Sequence, residues 1–305
     1  MIHLPSAGRH TENGKARRVI GVRLTLPAEP PRREVDRLLN HALAEDLAIN
    51  GDLTTNAVFG PTDRSSGRIV ARAPGRIAGI AMALRVFSLL DDAVTSSILI
   101  NDGNEADSGA TIAEGNGPTR ALLTGERTCL NLLGHLSGIA TATRDAVALV
   151  AGTEARIVDT RKTTPGLRAF EKYAVRCGGG GNHRFGLHDA VMIKDNHIAA
   201  AGSIAAAVAA VKAGVGHTVK IEVEVDRQDQ IPEALEAGAD VILLDNMTPQ
   251  ELAAAVALIG GVALTEASGG ITAQTLRAVA ASGVDIISMG ALTHSAPRLD
   301  VAMDF

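Results

Sequence analysis

Apolar positions along this chain fall into two regimes. In the first, the segment RREVDRLLNHALAEDL places Val35, Leu38, Leu39, Ala42 and Leu43 at helical spacing. That face covers roughly one third of the circumference and predicts a helix lying over a sheet. From Ser66 to Ile112 two short β-like runs, GRIVARA and TSSILI, alternate with the helical run AMALRVFSLL, as in a small α/β domain. A long apolar helix is predicted from Thr119 through Gly138 and beyond. From about Arg156 the pattern changes to short β-branched runs: ARIVDTRK, AVMIKDNH, VKIEVEV, ADVILLDN, VALTEASGG and VDIISMGA. The later ones are separated by alanine-rich helical stretches, the spacing of compact strand–helix units in a parallel sheet buried on both faces.

Polar residues decide which parallel fold this is. Asp159, Arg161 and Lys162 end the first run, and Lys194 and Asp195 the second. Glu222 and Glu224 sit in the third, Asp245 ends the fourth, Glu266 and Ser268 the fifth, and Ser288 to Gly290 the sixth. Polar groups from nearly every strand at one common end predict a β/α barrel with its site at the C-terminal mouth. An open doubly wound sheet concentrates them at a single switch point instead. Six runs are clear, fewer than the eight of a complete barrel, so the expectation is an α/β chain ending in an irregular, incomplete barrel.

Composition narrows the function. With 305 residues, 46% hydrophobic and 21% charged, the chain can bury one large or two moderate cores. A formal charge of -5 and a pI near 6.0 argue against nucleic-acid or anionic-membrane partners. Aromatic residues at 2% argue against a base-stacking platform. No apolar run of membrane length or secretory signal is present, so a cytoplasmic protein is expected. Cys129 and Cys177 form no metal set and suit that reducing compartment as packing residues. Residues 1–28, polar and closed by Pro27, Pro30 and Pro31, suit a mobile extension.

The densest chemistry lies between Asp159 and His197, where Arg161, Lys162, Arg168, Lys172, Arg176, His183, Arg184 and Lys194 gather in an otherwise acidic protein. Beside the run Gly178–Gly181, such a cluster predicts a pocket for a ligand with more than one negative charge. Arginine offers carboxylates a two-pronged fork, and glycine lets backbone N–H groups approach closely. The competing reading is a solvated charged loop, which ordinarily mixes signs and lacks this framework. EASGGITAQTLRAVA and SMGALTHSA place small residues just ahead of helices, where N–H groups bind phosphate. Ser268, Gly269, Gly270 and Gly290 fall on the last two strand loops, the usual phosphate position of barrels, although each glycine pair alone is equally an ordinary turn. Glu224 and Asp245 either neutralise Lys194 or Arg161 or hold ribose hydroxyls and a magnesium ion. His183, beside Arg184, is read as a ligand contact, with a hydrogen-bonded core histidine as the alternative.

TRKTTPGLR, GGGGNHRFGL, IKDNH, EVEV, LDNM, EASGG and GALTHS occur in that order, and together they resemble the motifs of the quinolinate phosphoribosyltransferases. With ALAEDLAINGDLTT and ERTCLNLLGHLSGIAT, the resemblance runs from about Arg33 to the C-terminus. It implies an α/β sandwich domain over 29–126, completed by 291–305, joined to a barrel over 127–290. It also implies a homodimer with shared active sites, with further assembly left open. By position, Arg161, Lys162, His183, Arg184 and Lys194 resemble the family's quinolinate-binding residues, and Arg127 the arginine lent by the neighbouring subunit. Glu224 and Asp245 resemble its ribose and magnesium carboxylates. Ser268, Gly269, Gly270, Gly290 and His294 resemble its phosphate-side residues. Lys162, Lys194, Glu224 and Asp245 are the expected catalytic set.

The activity implied is transfer of phosphoribose from phosphoribosyl pyrophosphate, with Mg2+, to the ring nitrogen of quinolinate. Nicotinate mononucleotide, pyrophosphate and carbon dioxide are the expected products, in NAD biosynthesis. Two alternatives stay open: a related transferase acting on another acidic heterocycle, and a non-catalytic barrel that senses phosphorylated metabolites. Five base-pocket cations plus Arg127 favour a dicarboxylate, and the Glu224 and Asp245 pair argues against a sensor.

Overall fold

A computed structural model of the chain describes residues 28–305, so the expected extension over 1–28 lies outside the described residues except for Ala28. Helix α1 (Arg32–Leu47) forms where the apolar spacing requires it and buries Val35, Leu39 and Leu43. Its main contacts, however, are with α3 (Ile80–Leu90) and α4 (Thr119–Leu149). The expected sheet-covering helix is thus corrected. Helices α3 and α4 themselves pack on the strands, which leaves α1 in an outer layer. Next in the chain after α1, α2 (Leu53–Val58) starts where the Asp52 carboxylate accepts the Thr55 N–H at 2.9 Å.

The N-terminal sheet is antiparallel, with β1 (Arg64–Ala71) paired to β5 (Thr111–Pro118) and β5 to β3 (Thr95–Ile98). The last strand, β12 (Val301–Asp304), returns to the other side of β1, setting Arg68 opposite Asp304 and Ala71 opposite Val301. Strands β2 (Gly75–Arg76) and β4 (Glu105–Ala106) make a separate short ribbon. Strand β5 has the unpromising sequence TIAEGNGP. Of its two glycines, Gly117 is a packing requirement, because a Cβ there would sit 2.8 Å from the Val94 Cα. The same logic lets the C-terminal segment cross α4: a Cβ at Gly138 would lie 2.1 Å from the Pro297 carbonyl oxygen.

The second sheet holds six parallel strands. In spatial order they are β6 (Arg156–Val158), β11 (Ile286–Ser288), β10 (Leu264–Ser268), β9 (Val241–Asp245), β8 (Ile221–Val225) and β7 (Val191–Ile193). Helices α7 (Ile204–Gly214), α8 (Ile231–Ala237), α9 (Pro249–Ile259) and α10 (Ala273–Ala281) connect them, with α5 (Arg168–Cys177), α6 (Asp195–Ala201) and α11 (Ala291–His294) near the strand ends. Residues after β6 and after β7, the two edges of the ladder, line one cavity. The sheet therefore curls toward closure, as an irregular barrel does. A single parallel bridge, Val158 to Gly181, extends it beyond β6. Asp102 ties the two halves together. Its buried carboxylate accepts the Gly79 and Ile80 N–H groups at 2.8 and 3.0 Å and the Tyr173 hydroxyl at 2.6 Å. No single helix among the described residues is long and apolar enough to cross a membrane.

Candidate active site

At the C-terminal ends of the six parallel strands lies a cavity of about 770 Å3. Its cationic lining comes from the turn after β6, the segment before β7 and the first residue after β7. Arg161, Lys162, His183, Arg184 and Lys194 all line it. Among the described residues, the side chains of Arg161 and Lys162 carry no hydrogen bond or ion pair to protein. Arg184 donates from Nη1 to the Ala190 carbonyl at 3.1 Å, and burial together with the nearby Arg161 charge lowers its pKa. Two unpaired cations facing one cavity leave charge for a ligand to satisfy.

The framework behind these cations is buried. Lys172 and Asp159, at 3% and 0% exposure, form an ion pair at 2.5 Å. Asp159 also accepts the His183 backbone N–H at 2.9 Å and the Asn182 amide at 2.6 Å, while Lys172 donates to the His183 carbonyl at 3.0 Å. Burial raises the Asp159 pKa and the Lys172 charge opposes that shift. Lys172 therefore belongs to the scaffold. Arg168 donates to Thr163 Oγ1 and Arg176 to the Gly180 carbonyl, so neither faces the cavity. The glycine run is a further correction. The N–H groups of Gly179, Gly180 and Gly181 bond to Arg176, Val175 and Ile157 carbonyls, leaving none for an anion. Gly178 and Gly180 are needed for packing, since a Cβ on either would come 2.5 or 2.7 Å from Thr143 of α4.

His183 lines the cavity with both ring nitrogens engaged. Nδ1 accepts the Arg184 backbone N–H at 2.7 Å. Nε2 lies 3.2 Å from Glu222 Oε2 and 3.4 Å from Glu266 Oε1. Burial disfavours the imidazolium, but the two carboxylates outweigh it and push the ring up to about 10. Burial also raises Glu222, assisted by the charge of Glu266. The Arg184 N–H on Nδ1 requires a lone pair there, so this contact puts the ring proton on Nε2, facing the carboxylates, and opposes the second ring proton that the carboxylates favour. Glu222 and Glu266 were legible only as strand residues. Nothing in the sequence joins them to His183.

The rest of the cavity lining is rich in carboxylate and glycine. Lys194 Nζ pairs with Glu224 Oε2 at 2.5 Å, whereas Asp245 accepts only the Asn246 amide, at 2.7 Å, among the described residues. Gly269 and Gly270 adopt φ of +92° and +57°, and their N–H groups bond to nothing among the described residues. Successive N–H groups in such a turn form an anion-binding concavity. Asn246, itself at φ +55°, packs so tightly here that a Cβ on Gly269 would fall 2.2 Å from its Oδ1. Ser268, Gly290 and His294 complete the lining, and Thr293, which sequence reading did not single out, ties α11 to the Lys162 carbonyl at 2.7 Å. Arg127 is exposed on α4 and is not among the residues lining this cavity.

Comparison with known proteins agrees over most of the chain. Family models described as the N-terminal and C-terminal domains of quinolinate phosphoribosyl transferase match residues 52–137 and 139–304. A Bacillus subtilis relative, named probable nicotinate-nucleotide pyrophosphorylase [carboxylating], is 50% identical over 271 residues, covering 89% of this chain and 93% of its own. The Mycobacterium leprae protein named nicotinate-nucleotide pyrophosphorylase [carboxylating] is 43% identical over 87% of this chain and 95% of its own. The crystal structure of NadC from Streptococcus pyogenes superposes with a TM-score of 0.88 at 42% identity, covering 92% of this chain and 98% of that one. Matched through both domains by model, by sequence and by structure, the chain belongs to the quinolinate phosphoribosyltransferase family.

Proposed function

We propose that the cavity is where quinolinate meets phosphoribosyl pyrophosphate, giving nicotinate mononucleotide, pyrophosphate and carbon dioxide. The carrying observation is that one cavity brings together the unpaired side chains of Arg161 and Lys162 with Asp245, Glu224 and the free N–H groups of Gly269 and Gly270. A dianionic ring suits the cations, and a phosphorylated sugar the carboxylates and the free N–H groups. Arg161, Lys162, Arg184 and Lys194 bind the two ring carboxylates, next to the ring lining of His183. Ser268, Gly269, Gly270, Gly290 and His294 take phosphate, and Glu224 and Asp245 take the ribose hydroxyls.

Nothing here requires a nucleophilic side chain. The ring nitrogen attacks the anomeric carbon as the bond to pyrophosphate breaks, so the protein contributes alignment and charge stabilisation. Lys162 and Lys194 sit where they can offset charge on the leaving group and on the ring carboxylates. After attack the ring nitrogen is cationic, and it accepts the electron pair released when the adjacent carboxylate leaves as carbon dioxide. A proton then takes that ring position. Mg2+ fits the carboxylate lining: Asp245 has no cationic partner among the described residues, and a hard cation combines such oxygens with substrate phosphates. When bound, it supplies neutralisation of the diphosphate charge.

The protein is read as cytoplasmic and as a homodimer. The exposed Arg127, off its own cavity, supports a site completed by the partner subunit. Calorimetry tests the base pocket: quinolinate should bind at least about tenfold more tightly than nicotinate, since a second carboxylate adds a charge-assisted contact worth about 1.5 to 3 kcal/mol. Equal affinities would refute the dicarboxylate reading.

A further inference from the structure

We infer that Glu222 and Glu266 form a clamp across the barrel that positions His183, and through it Arg184, for binding of the pyridine carboxylates; the inference rests on the quinolinate reading of the cavity. His183 arrives on a segment that joins the sheet through the Val158–Gly181 bridge and the Asp159 carboxylate, outside β6. Its ring nevertheless reaches Glu222 of β8 and Glu266 of β10, strands placed well beyond β6 in the ladder. The side chain therefore spans the barrel interior, and the two carboxylates fix its far end.

Three observations separate this from ordinary core filling. Both glutamates are more than nine-tenths buried, at 6% and 2% exposure; Glu222 Oε1 lacks a hydrogen-bond partner among the described residues, and Glu266 Oε1 has only its 3.4 Å ion-pair contact with His183 Nε2. Burying two carboxylates costs desolvation that such contacts often do no more than offset, so stability is a weak explanation for them. The ring passes its orientation on, because Nδ1 accepts the Arg184 N–H and fixes the backbone from which that guanidinium enters the cavity. Finally, the other charges around the segment point elsewhere. Asp159 and Lys172 hold its backbone, Asp189 accepts the Phe185 and Gly186 N–H groups, and Arg161 faces the cavity.

The same three side chains could be taken for a cation site, since their ligand atoms lie within 4.8 Å of one another. The Arg184 N–H on Nδ1 argues against it. That contact leaves the ring proton on Nε2, facing the carboxylates, where a metal would need a lone pair.

The test compares Glu222→Ala, Glu222→Gln, Glu266→Ala and Glu266→Gln in the intact enzyme, varying each substrate separately. The alanine variants should raise KM for quinolinate by about tenfold or more, the effect of losing a charge-assisted contact, while kcat and KM for phosphoribosyl pyrophosphate stay within about twofold. Each glutamine keeps an oxygen facing Nε2 and should restore KM to within about threefold. Unchanged quinolinate KM in the alanine variants, losses spread equally over both substrates, or failure of glutamine to restore would each overturn the clamp. A measurement on the unaltered enzyme guards against variants that fail to fold. Its 15N-labelled His183 should report a bare Nδ1 both before and after quinolinate is added. A new contact at Nδ1 on binding, or loss of the Nε2 proton on adding Zn2+ alone, would overturn it. If the unaltered enzyme forms no nicotinate mononucleotide, the reading of the cavity fails; if it does and the variants are unaffected, only the clamp fails.

Discussion

Arg161→Ala probes the base pocket most cleanly because of what surrounds that residue. Its guanidinium is exposed and has no protein partner among the described residues, so truncation orphans no buried group. Folding stability should therefore move by no more than about 0.5 kcal/mol. The bound state is different. Removing one member of a desolvated, hydrogen-bonded charge pair costs about 2 to 5 kcal/mol, much of it for the partner left unpaired. Here Lys162, Arg184 and Lys194 line the same cavity and can share the abandoned carboxylate, which places the loss at about 2 to 3 kcal/mol. That corresponds to about 30- to 150-fold in kcat/KM for quinolinate. Steady-state assays of pyrophosphate release, varying each substrate, together with a thermal melt, measure all of this. KM for phosphoribosyl pyrophosphate should stay within about twofold, and Arg161→Lys should fall between the two, keeping the charge but not the fork. A quinolinate kcat/KM within threefold of the unaltered enzyme would remove Arg161 from the site.

Excess chelator should abolish pyrophosphate release and added Mg2+ should restore it; full activity in chelator would contradict the role given to the carboxylate lining. Gly269→Ala forces a Cβ toward Asn246 at φ +92°, a strain of about 1 to 3 kcal/mol, so KM for phosphoribosyl pyrophosphate should rise with little change for quinolinate. Mixing Arg127→Ala and Lys194→Ala chains, each inactive alone, should recover about one quarter of normal activity if subunits reassort at random, because half the dimers then contain one intact site. An inactive mixture with demonstrated exchange would place Arg127 in its own subunit's service. Burial raises both thiols, Cys177 to about 12, so neither Cys129 nor Cys177 should react with iodoacetamide at neutral pH until the protein unfolds.

The barrel was legible because its strands are continuous apolar runs that end in charge, and all six expected runs join one parallel sheet. Helix α4 was legible for the same reason of length. Strand β5 was not, since Gly115 and Gly117 remove the alternation that marks a strand, and the close approach to Val94 that requires glycine is a tertiary fact. The side that α1 covers was misjudged because amphipathic spacing shows that a face is buried, not what buries it. At the site, the cations were visible as a cluster, but which of them face the cavity was not. Lys172 differs from Lys162 only through Asp159, and Arg168 and Arg176 differ from Arg161 through backbone and hydroxyl acceptors in the folded chain. The glycine run reads as an anion loop until Thr143, far away in sequence, is seen packed against it. Glu222 and Glu266 were legible as polar residues of their strands, but not as partners of His183, which lies on another segment.

The central claim, phosphoribosyl transfer to a pyridine dicarboxylate with loss of one carboxylate, is tested most directly by product stoichiometry. Quinolinate labelled with 14C at the 2-carboxylate is supplied with phosphoribosyl pyrophosphate and Mg2+. Pyrophosphate, labelled carbon dioxide and unlabelled nicotinate mononucleotide should appear in equal amounts. Pyrophosphate without labelled carbon dioxide, label retained in the nucleotide, or faster turnover of nicotinate than of quinolinate would contradict the account.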